Sequence, residues 1–238
     1  MYERLLVLKI TNGRKFINFR RLWVFRFIRK GGVCECVLPD VLHRKKLRVL
    51  LLIFNYVKGK VLLRVNMENI EIRSVKPKDA KELLKIYSYY VENTAISFEY
   101  VTPSVKEFKK RIKTIKKRFP YICLVKAGQI KGYAYANTFH ARKAYDWSVE
   151  LSVYVEKDSR KCGYGRMLYE ELENQLKKGG FKNLYACIAT PRQEDKFLDF
   201  SSHKFHEKMG FVKVGEFHGC AIKFDKIYDM TYMEKVLS

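Results

Sequence analysis

The feature that most restricts this chain is a strand that runs through a glycine-bearing loop straight into an amphipathic helix. From Val149 to Val155, alternation puts Val149, Leu151, Val153 and Val155 on one side and Glu150, Ser152 and Tyr154 on the other, the period-two pattern of a β-strand. Arg160-Lys161-Cys162-Gly163-Tyr164-Gly165-Arg166 follows. Tyr164, Leu168, Leu172 and Leu176 then recur at helical spacing, and Gly179-Gly180 ends the helix. The first N–H groups of a helix have no intrahelical partners, and with the helix dipole they bind an anion. Gly163 and Gly165 leave no Cβ between the backbone and such a ligand, and Arg160, Lys161 and Arg166 add positive charge. The loop is not a P-loop, since no G-K-[ST] follows, nor a dinucleotide fingerprint, since the third glycine and the later acid are missing.

The segments around it are consistent with one folded layer structure. Ile70 to Val75 reads as a strand, closed by Lys76-Pro77. Asp79 is placed to cap a helix to about Val91, and Ser104 a second helix to about Phe119 whose outer face is nearly all Lys and Arg. Tyr121–Ala127 and Ile130–Asn137 form a hairpin about Gly128-Gln129. After the strand and helix described above come a strand over Leu184–Ala189, a short helix over Ser202–Met209, and closing strands over Phe211–Phe217 and Tyr228–Val236. The order β-α-α-β-β-β-α-β-α-β-β implies an α+β fold, with helices on both faces of one sheet.

Charge divides the chain in two. Residues 1–66 hold sixteen Lys and Arg against three acids, and the rest thirty-two against twenty-two. The expected organisation is a basic N-terminal extension, 1–66, ahead of a domain, 67–238. Three readings of the extension stand open: a translated leader ahead of a start at Met67, a basic arm for nucleic acid or an anionic membrane, or an integral structural segment. The six cysteines show no disulfide framework, and the Cys34/Cys36 pair lacks further ligands for zinc. No metal is expected. The longest apolar run, Val49–Val57, is too short for the roughly 20 residues of a membrane span. Reduced thiols and the lack of a secretory pattern suggest a cytoplasmic protein.

Strand, R-x-x-G-x-G and amphipathic helix together resemble the acetyl-CoA motif of the GNAT superfamily of N-acetyltransferases. Ala144-Tyr145-Asp146-Trp147-Ser148-Val149-Glu150, Ser152-Val153-Tyr154-Val155, Phe205-His206-Glu207-Lys208-Met209-Gly210-Phe211 and Tyr228-Asp229-Met230 resemble the phosphinothricin acetyltransferase group within it. The likeness runs from residue 70 to about 236. It implies a GNAT fold, a mixed sheet splayed at its centre, and acetyl transfer from acetyl-CoA to the α-amino group of a small amino acid or analogue such as phosphinothricin, methionine sulfoximine or methionine sulfone. It implies a homodimer as well. Another amine acceptor, or a non-enzymatic basic module, is the alternative.

The resemblance also assigns residues. The pyrophosphate falls to Arg160, Lys161, Cys162, Gly163, Tyr164, Gly165 and Arg166. The pantetheine arm falls to backbone groups of Val153, Tyr154 and Val155, with the Val153 N–H on the thioester carbonyl. Glu150 is the expected general base, because a carboxylate inside an apolar strand is costly unless it is used or paired. His206 stands where many GNAT enzymes carry a Tyr that protonates the departing thiolate. His140, Ala141, Arg142, Tyr145 and Phe98 are expected around the amino-acid substrate, Arg142 as a carboxylate ligand. One position departs from the pattern: Ser201 stands before Ser202 where relatives carry an Asn that contacts the cofactor.

Overall fold

The computed structural model describes residues 70–237 in full and, upstream, the backbone of strands Leu6–Leu8, Ile17–Phe19, Trp23–Lys30, Val33–Val37, Leu52–Val57 and Lys60–Val65. The chain divides into two units, Met1–Glu68 and Asn69–Ser238. In the first, the upstream strands form two three-stranded antiparallel sheets. The side chains on which the readings of residues 1–66 depend lie outside the described residues.

The second unit is built on a seven-stranded sheet. Its strands are β1 (Ile70–Ser74), β2 (Tyr121–Lys126), β3 (Gln129–Thr138), β4 (Ser148–Val155), β5 (Asn183–Pro191), β6 (Val212–Lys223) and β7 (Lys226–Val236). The helices are α1 (Ala80–Asn93), α2 (Val105–Ile115), α3 (Tyr164–Lys178) and α4 (Ser201–Lys208). Across the sheet the order is β6-β7-β5-β4-β3-β2-β1. All neighbours are antiparallel except β4 and β5. This is the α+β arrangement the sequence implies.

Both faces are covered, which explains why β2 is apolar at every core position. Tyr121, Cys123 and Val125 meet Leu83, Tyr87, Val91, Phe108 and Ile112 of α1 and α2. Ile122 and Leu124 point the other way, toward Leu168, Leu172 and Leu176 of α3. Those three leucines are fully buried, each stabilising the fold by about 1.5–3 kcal/mol relative to an exposed position.

Two local expectations change. Ser104 does cap α2, accepting from the Glu107 N–H at 3.2 Å. Asp79 does not cap α1. Its carboxylate turns back to the Lys76 N–H at 2.6 Å and receives two hydrogen bonds from Arg73 at 2.7 and 3.1 Å, because the Arg73 guanidinium offers charge as well as geometry. The closing hairpin is also longer than expected. β6 reaches Lys223, but register shifts between Lys213 and Gly215 and between Phe217 and Ala221 break its alternation.

Candidate active site

The site is made where β4 and β5 part. They share only the rungs Ser148–Asn183, Val149–Leu184 and Glu150–Tyr185. Beyond these, β4 stays on β3 as far as Val155–Gly132, while β5 stays on β7 as far as Pro191–Tyr228. The edge of β4 beyond Glu150 therefore has no strand beside it.

Backbone parity says which groups face that edge. The Trp147 carbonyl accepts from the N–H groups of Lys182 and Asn183 on the β5 side, at 2.9 and 3.4 Å. The Glu156 N–H points the opposite way, to Lys131 of the β3 side, at 2.9 Å. Since successive residues alternate, Leu151 and Val153 turn their N–H and C=O toward the opening. Val155 does too, but the Tyr90 hydroxyl donates to its carbonyl at 2.5 Å and accepts from its N–H at 3.3 Å. Of the residues expected to offer backbone to an extended ligand, Val155 is thus engaged by α1, Tyr154 faces β3, and Val153 faces the opening.

At the end of β4 the chain enters the glycine loop. Gly163, the residue before α3, has φ 79°, and no side chain caps the helix. The left-handed conformation is why a glycine stands there. Lys161 also adopts positive φ, at 61°. The Arg160 guanidinium lies 5.0 Å from the Tyr90 ring and 5.5 Å from the Tyr89 ring, a cation–π placement that fixes it beside the loop. Lys161 and Cys162 are exposed, and Arg166 pairs with Glu170 at 2.7 Å. Two loop residues act differently from the sequence expectation. The Tyr164 side chain is in the core, so only its backbone faces the loop. At Gly165 a Cβ would come within 3.3 Å of the Phe205 ring, so this glycine lets α3 and α4 approach.

Glu150 sits at the head of the opening, half-buried. Its carboxylate has no hydrogen bond or ion pair among the described residues, and burial raises its pKa above the ordinary carboxylate range. An unpaired, partly desolvated carboxylate is a proton acceptor of increased basicity.

A family model described as an acetyltransferase (GNAT) domain matches residues 72–232. The chain belongs to the GNAT acetyltransferases. It is similar to a phosphinothricin N-acetyltransferase of Streptomyces viridochromogenes, 27% identical over 166 residues, covering 70% of this chain and 87% of that one. A phosphinothricin N-acetyltransferase of Alcaligenes faecalis is 29% identical, over 70% of this chain and 82% of the relative. Among solved structures, a GNAT phosphinothricin acetyltransferase of Sinorhizobium meliloti in complex with acetyl-CoA superimposes with a TM-score of 0.65 at 29% identity, covering 71% of this chain and 89% of that one.

In this GNAT domain the loop before β4 forms an aromatic wall next to Glu150. Phe139 stacks on Tyr185 with centroids 4.0 Å apart, and on the other side it meets His140 at 4.1 Å and Tyr145 at 6.0 Å. Tyr232 of β7 closes on Phe139 at 6.3 Å. Of the residues expected around a substrate, His140 and Tyr145 belong to this wall. Ala141 and Arg142 are exposed on the same loop. Phe98 does not join it. It packs 6.3 Å from Tyr228, in a cluster with Ala95, Ala189 and Leu198, further along β5.

Phe139, Tyr185 and Tyr232 belong to no motif that would mark them in the sequence. Tyr185 alternates with buried Leu184 and Ala186, but only the β4–β5 register puts it opposite Glu150.

His206 is a correction. It is 5% exposed, with both ring nitrogens engaged: Nδ1 donates to the Ser202 carbonyl at 2.7 Å, and Nε2 accepts from the Tyr169 hydroxyl at 2.9 Å. Burial lowers its pKa to about 4. The side chain thus ties α4 to α3 and has no proton directed to the opening. Ser201 opens α4, its N–H donating to Asp199 at 2.9 Å. Burial alone would raise the pKa of Asp199, but hydrogen bonds from Ser201 and the charges of Arg160 and Lys204 hold it below the usual range. No sequence pattern marks Asp199 either, yet it places a carboxylate between α4 and the Arg160 loop.

Cys123, Cys187 and Cys220 are free thiols. Among the described residues no His/Cys/Asp/Glu cluster could hold a metal ion, and no helix is long and apolar enough to cross a membrane.

Proposed function

We propose that this chain transfers acetyl from acetyl-CoA to the α-amino group of a small amino acid or analogue of the phosphinothricin, methionine sulfoximine and methionine sulfone class. Glu150 carries the reading. It is an unpaired carboxylate of raised pKa, placed where the sheet opens and next to the aromatic wall of Phe139, Tyr145 and Tyr185.

The residues present fit the cofactor. Acetyl-CoA supplies an activated acetyl thioester, together with a pyrophosphate and an amide-bearing arm for the protein to hold. The first turn of α3 with its dipole, the bare backbone at Gly163, and Arg160 and Lys161 receive the pyrophosphate. The open edge of β4 at Leu151 and Val153 receives the arm as an added strand. The Val153 N–H then polarises the acetyl carbonyl, an oxyanion-hole role.

Glu150 takes a proton from the ammonium of the amino acid, directly or through one water, and so frees the lone pair that attacks the carbonyl. The tyrosine and phenylalanine wall orients the side chain of the substrate, and Arg142 receives its carboxylate. Because His206 is committed to Tyr169 and Ser202, solvent at the mouth of the opening protonates the departing thiolate. A homodimer in the cytoplasm, with activity residing in residues 67–238, completes the proposal.

A thiol-release assay with acetyl-CoA and a panel of amino acids, phosphinothricin, methionine sulfoximine and methionine sulfone tests it, on full-length and Met67-start proteins. Turnover confined to these small amino acids supports the reading. Turnover only with a protein N-terminus or an aminoglycoside overturns the substrate class and leaves the acetyltransferase assignment standing.

A further inference from the structure

One face of the domain supplies no residue to the acetyl transfer proposed above. On α2 and the turn that follows it, Lys106, Lys110, Lys113 and Lys117 recur at intervals of four, three and four residues, all exposed, opposite buried Phe108 and Ile112. At 1.5 Å per residue they span about 16 Å. None has an acidic partner among the described residues, whereas Arg111 of the same helix is taken up by Glu99 and Glu107. Just beyond α2, Arg118 donates to the carbonyl and carboxylate of Asp146, at 3.0 and 2.8 Å. The cationic row is thereby tied to the loop that precedes β4.

Past Asp146 lies a groove of about 590 Å³, with Trp147 and Lys143 on one wall and Gly179, Gly180 and Phe181 opposite. Trp147 is 62% exposed, yet its backbone is fixed by the Lys182 and Asn183 N–H groups. At Gly180, φ is 82° and the place of a Cβ is open space, so bare backbone faces the groove. Asp146 is the one carboxylate among the lining residues, and Arg118 neutralises it. Lys143, Lys178 and Lys182 are exposed beside it.

Unpaired cations that lead to an exposed indole over a surface free of side chains suit a polyanion that carries planar rings. A membrane is disfavoured, because the apolar side of α2 is used in the core and leaves Trp147 as a lone ring to insert. A peptide of acidic residues alone would meet the lysines but brings no aromatic ring for the indole and the glycine backbone. We infer that this face docks single-stranded nucleic acid, with phosphates along α2 and a base stacked on Trp147.

The test uses the full chain. It has two tryptophans, so Trp23→Phe leaves Trp147 as the only reporter. Titration with a short oligouridylate should quench Trp147 emission, with an affinity that falls steeply with salt. Lys110→Glu together with Lys113→Glu should reduce the log–log salt slope by about 1.4, two contacts at about 0.7 each. In a protein that keeps Trp23, Trp147→Ala should weaken binding about tenfold. Binding without quenching and unmoved by the lysine substitutions would locate it in residues 1–66 and overturn the inference. So would no binding at low salt, or a response of Trp147 to polyglutamate or phosphatidylglycerol vesicles at lower concentration than to the oligonucleotide. Acetyl transfer by the same variants reports that the fold is intact.

Discussion

Glu150 lies opposite Tyr185 on the last rung that β4 and β5 share. Placed one residue earlier, the carboxylate would take the place of Val149 in the leucine core. Placed one residue later, alternation would turn it toward α3 and the leucine core. At this position it faces the aromatic wall, and the backbone edge that can hold an extended ligand begins at the next residue. One register thus sets the relation between this carboxylate and the open strand edge.

Glu150→Gln should slow turnover by about 10²-fold or more, the scale of a lost general base, with acetyl-CoA affinity little changed. The parent's kcat should fall on the acid side through a pKa above the ordinary carboxylate range, since burial raises it and the ionised form is the base. Stability should move the other way. Above its raised folded pKa the native chain bears the cost of a buried charge, while below the unfolded pKa neither state is charged and the cost is gone. The glutamine variant should therefore melt higher than the parent at neutral pH, with the gap closing as pH falls. Steady-state kinetics and melting across pH read both effects.

The two loop glycines should fail in different ways. Gly163→Ala forces a Cβ into a left-handed conformation, at a cost of about 1–2 kcal/mol, at the point proposed to receive the pyrophosphate. Its main effect should be a raised KM for acetyl-CoA with little change for the acceptor. Gly165→Ala instead meets the Phe205 ring, so it should chiefly lower the melting temperature. A Gly165→Ala/Phe205→Leu double variant should lose less than the sum of the two single losses, because the two residues touch. Additive losses would count against this division of roles.

The element order, the strand and the helix that flank the glycine loop and the position of Glu150 were legible because they rest on local patterns. Tyr121–Val125 alternates between two apolar sets, and Leu168, Leu172 and Leu176 form one row. The opening between β4 and β5 is not local. Nothing in Asn183–Pro191 states that its pairing with β4 stops at Tyr185, so Tyr185, Phe139 and Tyr232 could not be found. The extent of β6 was hidden by its two register shifts. At His206 and Tyr164 the resemblance implied ligand contact, but the packing around Tyr169 and α3 turned both rings inward.

His206 should behave as a packing residue. Its pKa is about 4 in the folded chain against about 6.5 when unfolded. Between those values the unfolded chain binds a proton that the native ring refuses. Stability is therefore retained above about pH 6.5 and lost as pH falls through the window toward 4, by an amount on the order of 3 kcal/mol at full titration. His206→Gln should flatten that acid limb in denaturant titrations and leave turnover within a few-fold of the parent. Turnover slowed a hundredfold or so, the scale of a lost general acid, at unchanged stability would restore the histidine as the proton donor.

Lys223 is a buried cation that anchors the turn after α1. It is 2% exposed, and its ammonium donates to the carbonyls of Val91, Thr94 and Ser97 at 2.7, 2.9 and 2.6 Å. Positive charge at the C-terminal end of α1 complements the helix dipole. The same three bonds hold the turn that leads into Phe98. Lys223→Met keeps much of the side-chain volume but leaves these buried carbonyls without a donor, at a cost of about 3 kcal/mol in urea unfolding. Because Phe98 packs on Tyr228 and away from the aromatic wall, KM for the acceptor, KM for acetyl-CoA and the acid limb of the pH profile should all stay in place. A variant that loses stability with both KM values unchanged would show that the anchor serves the fold alone.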